Sequence, residues 1–162
     1  MTAVSDSSPL ISLAAISSLD LLQSLFRIVV IPDAVYQEVA AGKGKPGARE
    51  MAKADWIVAR TVANKAEVGR LMASERLGRG EAETIALAKE LRANPVILDD
   101  HQARQAARRH RLPVLGTLGL LVAAKRAGLV SEIRTRLQAL VAEGAYIHPR
   151  LYREILQHVD EA

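Results

Sequence analysis

The sequence predicts a single α/β domain, residues 1–162, whose parallel central sheet is covered by helices on both faces. Short apolar runs alternate with amphipathic stretches along the chain, an order typical of strand–helix–strand units. Glycines and prolines mark the breaks between these segments. With 162 residues, of which 49% are hydrophobic, the chain is long enough to bury a sizeable core.

The predicted elements follow the apolar pattern in order. Strands are predicted over residues 2–5, 28–31, 56–60, 96–98 and 113–115. A first helix opens at Pro9 with Ser7 or Ser8 as its cap, and Ser18 is expected to cap the second. Further helices are predicted over 18–25, 33–41, 48–54, 63–75, 80–92, 101–111, 117–127, 130–143 and 149–158. Gly128 and Gly144 are placed as C-caps.

Composition excludes several classes of site. The chain has no cysteine, which excludes disulfides, thiolate zinc sites and cysteine nucleophiles. Aromatic residues make up only 3%, so an aromatic platform for stacking bases is not expected.

No apolar run reaches the roughly 18 residues of a membrane span, and the N-terminus lacks the basic region of a signal peptide. We therefore expect a soluble cytoplasmic protein. The net charge of +4 suits a nucleic-acid partner but is also an ordinary solubility device.

A set of carboxylates stands at strand ends and early in helices. Asp6 follows the first apolar run, and the pair Asp99 and Asp100 follows the fourth. Groups just past the carboxyl ends of parallel strands meet in one crevice of an open α/β sheet. Acids that converge there repel one another unless a hard divalent cation lies between them. Together with Glu38 and Glu81, these acids indicate a metal site that acts on a polyanion.

Each acid also has an ordinary structural interpretation. Asp6 stands where a helix N-cap is expected. Glu38, taken alone, fits a solvated helix face, whereas Glu81 and Glu83 lie in the first turn of a helix, where negative side chains favour the helix dipole. The pair after the fourth strand is harder to explain structurally, because two adjacent acids cannot both serve as one cap.

Arginines predict a surface for the polyanion. Arg104, Arg108 and Arg111 recur at spacings of four and three, which places them on one face of the predicted helix 101–111. Arg79 flanks the turn that carries Glu81. The planar guanidinium donates two parallel hydrogen bonds to a phosphate, so these residues are candidates for nucleic-acid binding. A solvated helix face is the alternative interpretation.

Four segments carry a family resemblance. They read VSDSSPLI at 4–11, IPDAVYQEV at 31–39, GRGEAETIALA at 78–88 and ILDD at 97–100. In order and spacing they resemble the PIN-domain family, in particular a little-characterised prokaryotic branch akin to the VapC-type toxins of toxin–antitoxin pairs. The resemblance covers about residues 2–127, and a helical tail follows over about 129–159.

The resemblance implies a three-layer α/β/α PIN-like fold, dependence on Mg²⁺ or Mn²⁺, and cleavage of RNA. Carried over by position, it makes Asp6, Glu38, Glu81 and Asp100 the catalytic acids. Asp6, Glu81 and Asp100 would bind the metal, with Asp99 as a further metal-ligand candidate next to the favoured Asp100. Such crowded carboxylates should have raised pKa values when no metal is bound.

Two further positions have supporting roles in this interpretation. Glu83 is the second candidate for the third family acid, after Glu81. Many relatives carry another acid after the fifth strand, where this chain has Gly116 and Thr117. The Thr117 hydroxyl would either hold a metal-bound water or cap helix 117–127.

The sequence thus predicts a metal-dependent endoribonuclease that hydrolyses RNA phosphodiester bonds, as the toxin component of a type II toxin–antitoxin pair. Its expected partners are RNA, a small antitoxin protein and a second copy in a homodimer. The alternative is a non-catalytic nucleic-acid- or protein-binding module that keeps the PIN-like fold. A response-regulator receiver is disfavoured, because no phosphoacceptor Asp at the third strand and no later lysine of that kind is apparent.

Overall fold

The central sheet has five parallel strands in a computed structural model that describes residues 2–162. In chain order they are β1 (Ala3–Ser5), β2 (Val29–Pro32), β3 (Ile57–Arg60), β4 (Val96–Ile97) and β5 (Val114–Leu115). Their spatial order is β3-β2-β1-β4-β5, and each neighbouring pair runs parallel. Both the α/β class and the parallel sheet that the sequence predicts are confirmed.

Helices connect the strands and form the C-terminal tail. Those before β4 are α1 (Ser7–Ala15), α2 (Asp20–Phe26), α3 (Asp33–Ala41), α4 (Ala48–Lys53), α5 (Lys65–Ser74) and α6 (Arg79–Leu91). Those after it are α7 (His101–Arg109), α8 (Thr117–Arg126), α9 (Arg134–Ala142) and α10 (Pro149–His158). In this described part of the chain, no helix has the length and apolar character needed to cross a membrane.

Side chains of alternate strand residues pack into two separate hydrophobic clusters, one on each face of the sheet. Ala3 and Ile97 belong to the cluster covered by α1, α2, α3, α4, α8, α9 and α10, whereas Val4 and Val96 belong to the one covered by α5, α6 and α7. Successive side chains of a strand point to opposite faces, so a strand buried on both sides needs apolar residues at every position. This arrangement is the three-layer α/β/α fold.

The C-terminal tail packs on the same core as the strands. Leu137 and Leu140 of α9 and Ile155 and Leu156 of α10 are buried in the cluster that also holds Ile97. The carboxylate of Glu161 accepts hydrogen bonds from the backbone N–H groups at the start of α9, at 2.9–3.0 Å, and pairs with Lys125 at 3.3 Å. The end of the chain therefore fastens the tail to α8 and α9.

Several helix boundaries differ from the sequence prediction. The first helix begins at Ser7, with Asp6 at its N-cap position, so neither Ser7 nor Ser8 is its cap. Helix 101–111 ends at Arg109, because Arg111 adopts a left-handed backbone with φ of 59°. Helix 130–143 begins only at Arg134, where Glu161 satisfies the free N–H groups. The second helix begins at Asp20, since the Ser18 hydroxyl donates to the Ile16 carbonyl oxygen instead of capping it.

We predict that Glu161→Gln destabilises the protein by about 1–2 kcal/mol, because the start of α9 loses a charged hydrogen-bond acceptor. The free energy of unfolding, measured by urea titration, checks this. Glu154→Gln is the matched control, since Glu154 pairs only with Arg150 one turn away on the exposed side of α10. Equal stability of the two variants would contradict the fastening role of Glu161.

Candidate active site

The carboxyl ends of β1 and β4 form the centre of the candidate site. These strands are neighbours in the sheet, with Val4 paired to Val96 and Ser5 to Ile97, and the chain leaves β1 and β4 toward different faces. Such a switch point opens a crevice at the carboxyl edge of a parallel sheet. Asp6 follows β1 directly, and Asp99 comes two residues after β4.

Asp6 is a buried carboxylate, only 4% exposed. It occupies the N-cap position of α1, but its side chain makes no capping hydrogen bond in the first turn. Burial raises the pKa of Asp6 to about 7, against the opposing effect of the Ser7 backbone N–H. The negative charges of Glu81, Glu38 and Asp99 contribute to the same rise in pKa. The cap interpretation therefore explains the position of Asp6 in the chain but not its burial.

Glu38 reaches the same place from α3. Its Oε2 accepts a hydrogen bond of 2.6 Å from the hydroxyl of Ser7, the residue after Asp6. The α3 helix packs against the start of α6 at Gly80, where an added Cβ would lie 2.6 Å from Oε1 of Glu38. Only glycine leaves room for the carboxylate there, and this explains why the residue before Glu81 has no side chain.

Glu81 contributes a carboxylate from the first turn of α6. Its Oε2 accepts a hydrogen bond of 3.1 Å from the Gly78 N–H, so it also stabilises the helix start in a capping box. Burial raises its pKa, a backbone hydrogen bond from Gly78 opposes the rise, and the charges of Asp100 and Glu38 add to it. The prediction of raised pKa values is thus met at both Asp6 and Glu81.

Asp99 is held by two donors from Thr117. The backbone N–H of Thr117 donates to Oδ1 at 2.7 Å, and its hydroxyl donates to Oδ2 at 2.6 Å. Thr117 is the first residue of α8, with Gly116 at the N-cap position, so the interpretation of Thr117 as the cap of this helix is wrong. Instead, its side chain fixes the orientation of the half-buried Asp99.

Asp100 and Glu83 have local structural partners. The Asp100 carboxylate caps α7 by accepting the Ala103 N–H at 2.9 Å, and its charge also acts on Glu81. Glu83 accepts the Ala34 N–H at 3.3 Å and pairs with Arg79 at 3.2 Å. Asp100 therefore borders the cluster while serving as a helix cap, whereas Glu83 links α6 to the start of α3.

No salt bridge among residues 2–162 neutralises this cluster. Within residues 2–162, none of the acids named as the catalytic set, nor Asp99, forms a salt bridge with lysine, arginine or histidine. Each instead rests on a hydroxyl or a backbone N–H. In that same range, no group of three His, Asp or Glu side chains is close enough together to coordinate a metal ion. Asp6 is buried, Glu81 and Asp99 are half-buried, and Glu38 and Asp100 are exposed. Carboxylate oxygens that converge in this way are the donor chemistry that suits a hard divalent cation.

The predicted arginine surface is only partly assembled. Arg104 is half-buried: its guanidinium donates to the Leu98 carbonyl oxygen at 3.5 Å, and an added Cβ at Gly116 would clash with it. Arg108 is exposed one turn further along α7. Arg111 lies beyond the end of the helix and does not continue this face, so that part of the prediction is wrong. Arg79 is exposed and paired with Glu83.

Comparison with protein families identifies the fold. Residues 2–161 match the family model described as a PIN domain. The chain belongs to the PIN-domain family. PIN domains are in general nucleases that act on nucleic acid and typically use divalent metal ions. No curated protein matches the chain significantly.

Sequence reasoning missed the residues that hold these acids in place. Ser7, Gly80 and Gly116 each lie next to a candidate residue in the chain, and each is small or carries a hydroxyl. A serine after Asp6 and glycines before Glu81 and Thr117 are compatible with close approach of another side chain. Ser7 and Gly80 meet Glu38 of α3, which is 31 and 42 positions away, and Gly116 meets Arg104 of α7, which is 12 positions away. The pairing itself therefore had no local signal.

We predict that Asp6→Asn stabilises the metal-free protein in a pH-dependent way. The folded-state pKa of Asp6 lies above the unfolded value, so the parent loses stability as the pH rises between about 4 and 7. Asparagine carries no charge at any pH. The gain in the free energy of unfolding should be near zero at about pH 4 and grow to about 4 kcal/mol above about pH 7.

Urea titrations in chelator at several pH values measure this gain. Asp55→Asn is the matched control, because Asp55 is an exposed acid outside the cluster and its substitution should change stability little at any pH. A pH-independent difference between Asp6→Asn and the parent would contradict the uncompensated burial of Asp6.

Proposed function

We propose that this PIN domain is a metal-dependent endoribonuclease that hydrolyses RNA phosphodiester bonds. The observation that carries the proposal is the buried Asp6, which has no cationic partner in residues 2–162 and is surrounded by the charges of Glu81, Glu38 and Asp99. A fold gains nothing from burying an unpaired carboxylate among others. Such an arrangement is understandable when a divalent cation completes it.

The residues have distinct roles in this proposal. Asp6 and Glu81, with Asp99 and Asp100 at the border, would hold Mg²⁺ or Mn²⁺. When bound, the cation supplies Lewis acidity that stabilises charge on the phosphoryl and leaving oxygens.

Glu38 accepts the proton of the attacking water as general base, and the Ser7 hydroxyl orients its carboxylate. Thr117 fixes the carboxylate of Asp99, whose charge acts on Asp6. Glu83 supports the site by joining α6 to α3.

We further assign the chain to the toxin side of a type II toxin–antitoxin pair, with a small antitoxin and a second copy of the chain as partners. This part rests on the family resemblance of the motifs around Asp6, Glu38, Glu81 and Asp100. A nuclease acting on the RNA of its own cell needs restraint, and a protein that covers the acid cluster would provide it. Growth arrest on expression, relieved by the product of a neighbouring small reading frame, would support this assignment.

We predict that the purified protein cleaves labelled RNA with Mn²⁺ or Mg²⁺ and is inactive in chelator. Asp6→Asn should abolish cleavage, a loss of at least about a hundredfold, because the cation loses a charged ligand. It should leave RNA binding intact or stronger, since the change removes a negative charge that repels phosphate.

Gel analysis of cleavage beside fluorescence anisotropy of binding separates these effects. Asp55→Asn again controls for the loss of one exposed carboxylate. Cleavage by Asp6→Asn at the parent rate would overturn metal catalysis at this site. RNA binding without cleavage in the parent would instead favour the non-catalytic module, for which the threonine in place of a further acid is the supporting feature.

We predict that Arg108→Ala acts on binding and not on the chemical step. Arg108 is exposed on α7 beside Arg104, and a lost phosphate contact should lower the slope of log affinity against log salt by about 0.7 for single strands. Arg104→Ala should do the same, with a further cost because its guanidinium packs on Gly116. RNA affinity measured at several salt concentrations checks this, with Arg49→Ala on α4 as the control. An unchanged slope for Arg108→Ala would remove α7 from the RNA surface.

A further inference from the structure

A long groove continues from the acid cluster along the β5 side of the protein. Its volume is about 1260 Å³, and its walls come from α7, β5, α8 and the C-terminal tail. The lining follows α8 over its whole length, beginning at Thr117 beside Asp99 and reaching Arg126 and Ala127 at the other end. A helix rises 1.5 Å per residue, so Arg126 lies about 14 Å along the groove from Thr117.

The groove combines a cationic wall with an apolar floor. Arg104 and Arg108 line it from α7, and Arg126 lines it at the far end of α8. Its acidic member, Asp99, already accepts both hydrogen bonds from Thr117. The remaining lining is mostly aliphatic, with Ser8, Ser12 and His101 near the acid end and the phenol ring of Tyr146, which is 83% exposed. An exposed ring and apolar floor beside arginines form a surface with affinity for a polyanion that also has flat apolar parts.

We propose that this groove binds unpaired nucleotides of the RNA on one side of the scissile phosphate. The inference rests on the proposed nuclease function and names a subsite for it. Phosphates follow Arg104, Arg108 and Arg126, while bases lie on the aliphatic floor and stack on Tyr146. The 14 Å from Thr117 to Arg126 corresponds to about four nucleotides at the 3.4 Å rise of a stacked strand. Only unpaired bases can reach the floor, so a duplex does not fit this subsite.

The position of the groove favours RNA over a helix of another protein as its occupant. The groove is continuous with the acid cluster through Asp99 and Thr117, and a strand cut there must leave the cluster along some path. Arg104 and Arg108 are one helical turn apart, with roughly 5–6 Å between their Cβ atoms, which suits neighbouring phosphates of one strand. A protein helix would use the aliphatic floor but would not need a row of arginines that begins at a catalytic cluster.

The test uses residues that are exposed and lie outside the acid cluster. Arg126→Ala and Tyr146→Ala are compared with the parent on two RNAs. One has about four nucleotides and extends only about two beyond a central scissile phosphate, and the other has about twelve and spans the groove. For the longer RNA, each variant should lower kcat/KM and affinity in chelator on the order of tenfold, and Tyr146→Phe should restore both. Arg126→Ala should also lower the salt slope by about 0.7. For the shorter RNA, the kcat/KM of both variants should equal that of the parent.

The outcomes separate this inference from the proposed function. Arg49→Ala removes the same charge from α4 and should match the parent at both lengths. If the parent cleaves RNA but Arg126→Ala and Tyr146→Ala have the kcat/KM of the parent at both lengths, the groove is not an RNA subsite. Its apolar floor would then favour a protein segment as the occupant. An equal loss on short and long RNA would also overturn the inference. Failure of the parent itself to bind or cleave RNA would instead remove the proposed function.

Discussion

The repulsion among carboxylates at the carboxyl edge of the sheet is the constraint on which the rest of the site depends. A parallel sheet with β1 at its centre brings the residues after β1 and β4 together, and both of those positions carry acids. Ionisation of Asp6 is disfavoured most, because burial and three neighbouring negative charges all raise the free energy of its ionised form. Among residues 2–162, no lysine or arginine forms a salt bridge with Asp6. The cluster thus costs stability, and its charge arrangement is of the kind that a hard divalent cation balances.

Neutral hydrogen-bond donors of the protein hold these acids in place. Ser7 holds Glu38, the Gly78 N–H holds Glu81, and Thr117 holds Asp99 through two hydrogen bonds. Neutral donors orient a carboxylate without neutralising it, whereas an ion pair would compensate its charge. The glycines at positions 80 and 116 serve the same end, since a side chain at either would push away Glu38 or Arg104. Orientation and charge are therefore controlled by different residues.

Features of the fold that depend on local sequence patterns could be predicted from the sequence. The alternation of apolar runs gave the parallel sheet, and strand-end acids gave the position of the crevice. Roles that depend on contacts across the fold could not be predicted. Asp99 and Asp100 are adjacent and chemically identical, yet one faces Thr117 and the other caps α7, because the backbone turns between them. Likewise, helical spacing placed Arg111 beside Arg108, but the left-handed residue at its position ends that pattern. The start of α9 depends on Glu161, 27 positions later.

The distribution of positive charge completes the argument for a polyanionic substrate. Phosphate approaching the bare cluster would be repelled by Asp6 and its neighbours, so attraction must come from beside the cluster and not from within it. Arg104 meets this requirement, since its guanidinium and Oδ1 of Asp99 both border the backbone of Gly116. Arg108 and Arg126 extend the same sign of charge away from the acids along the groove. The acids at the sheet edge and the arginines along the groove are thus separated on one surface, which has the charges that a divalent cation and a phosphate chain would each require.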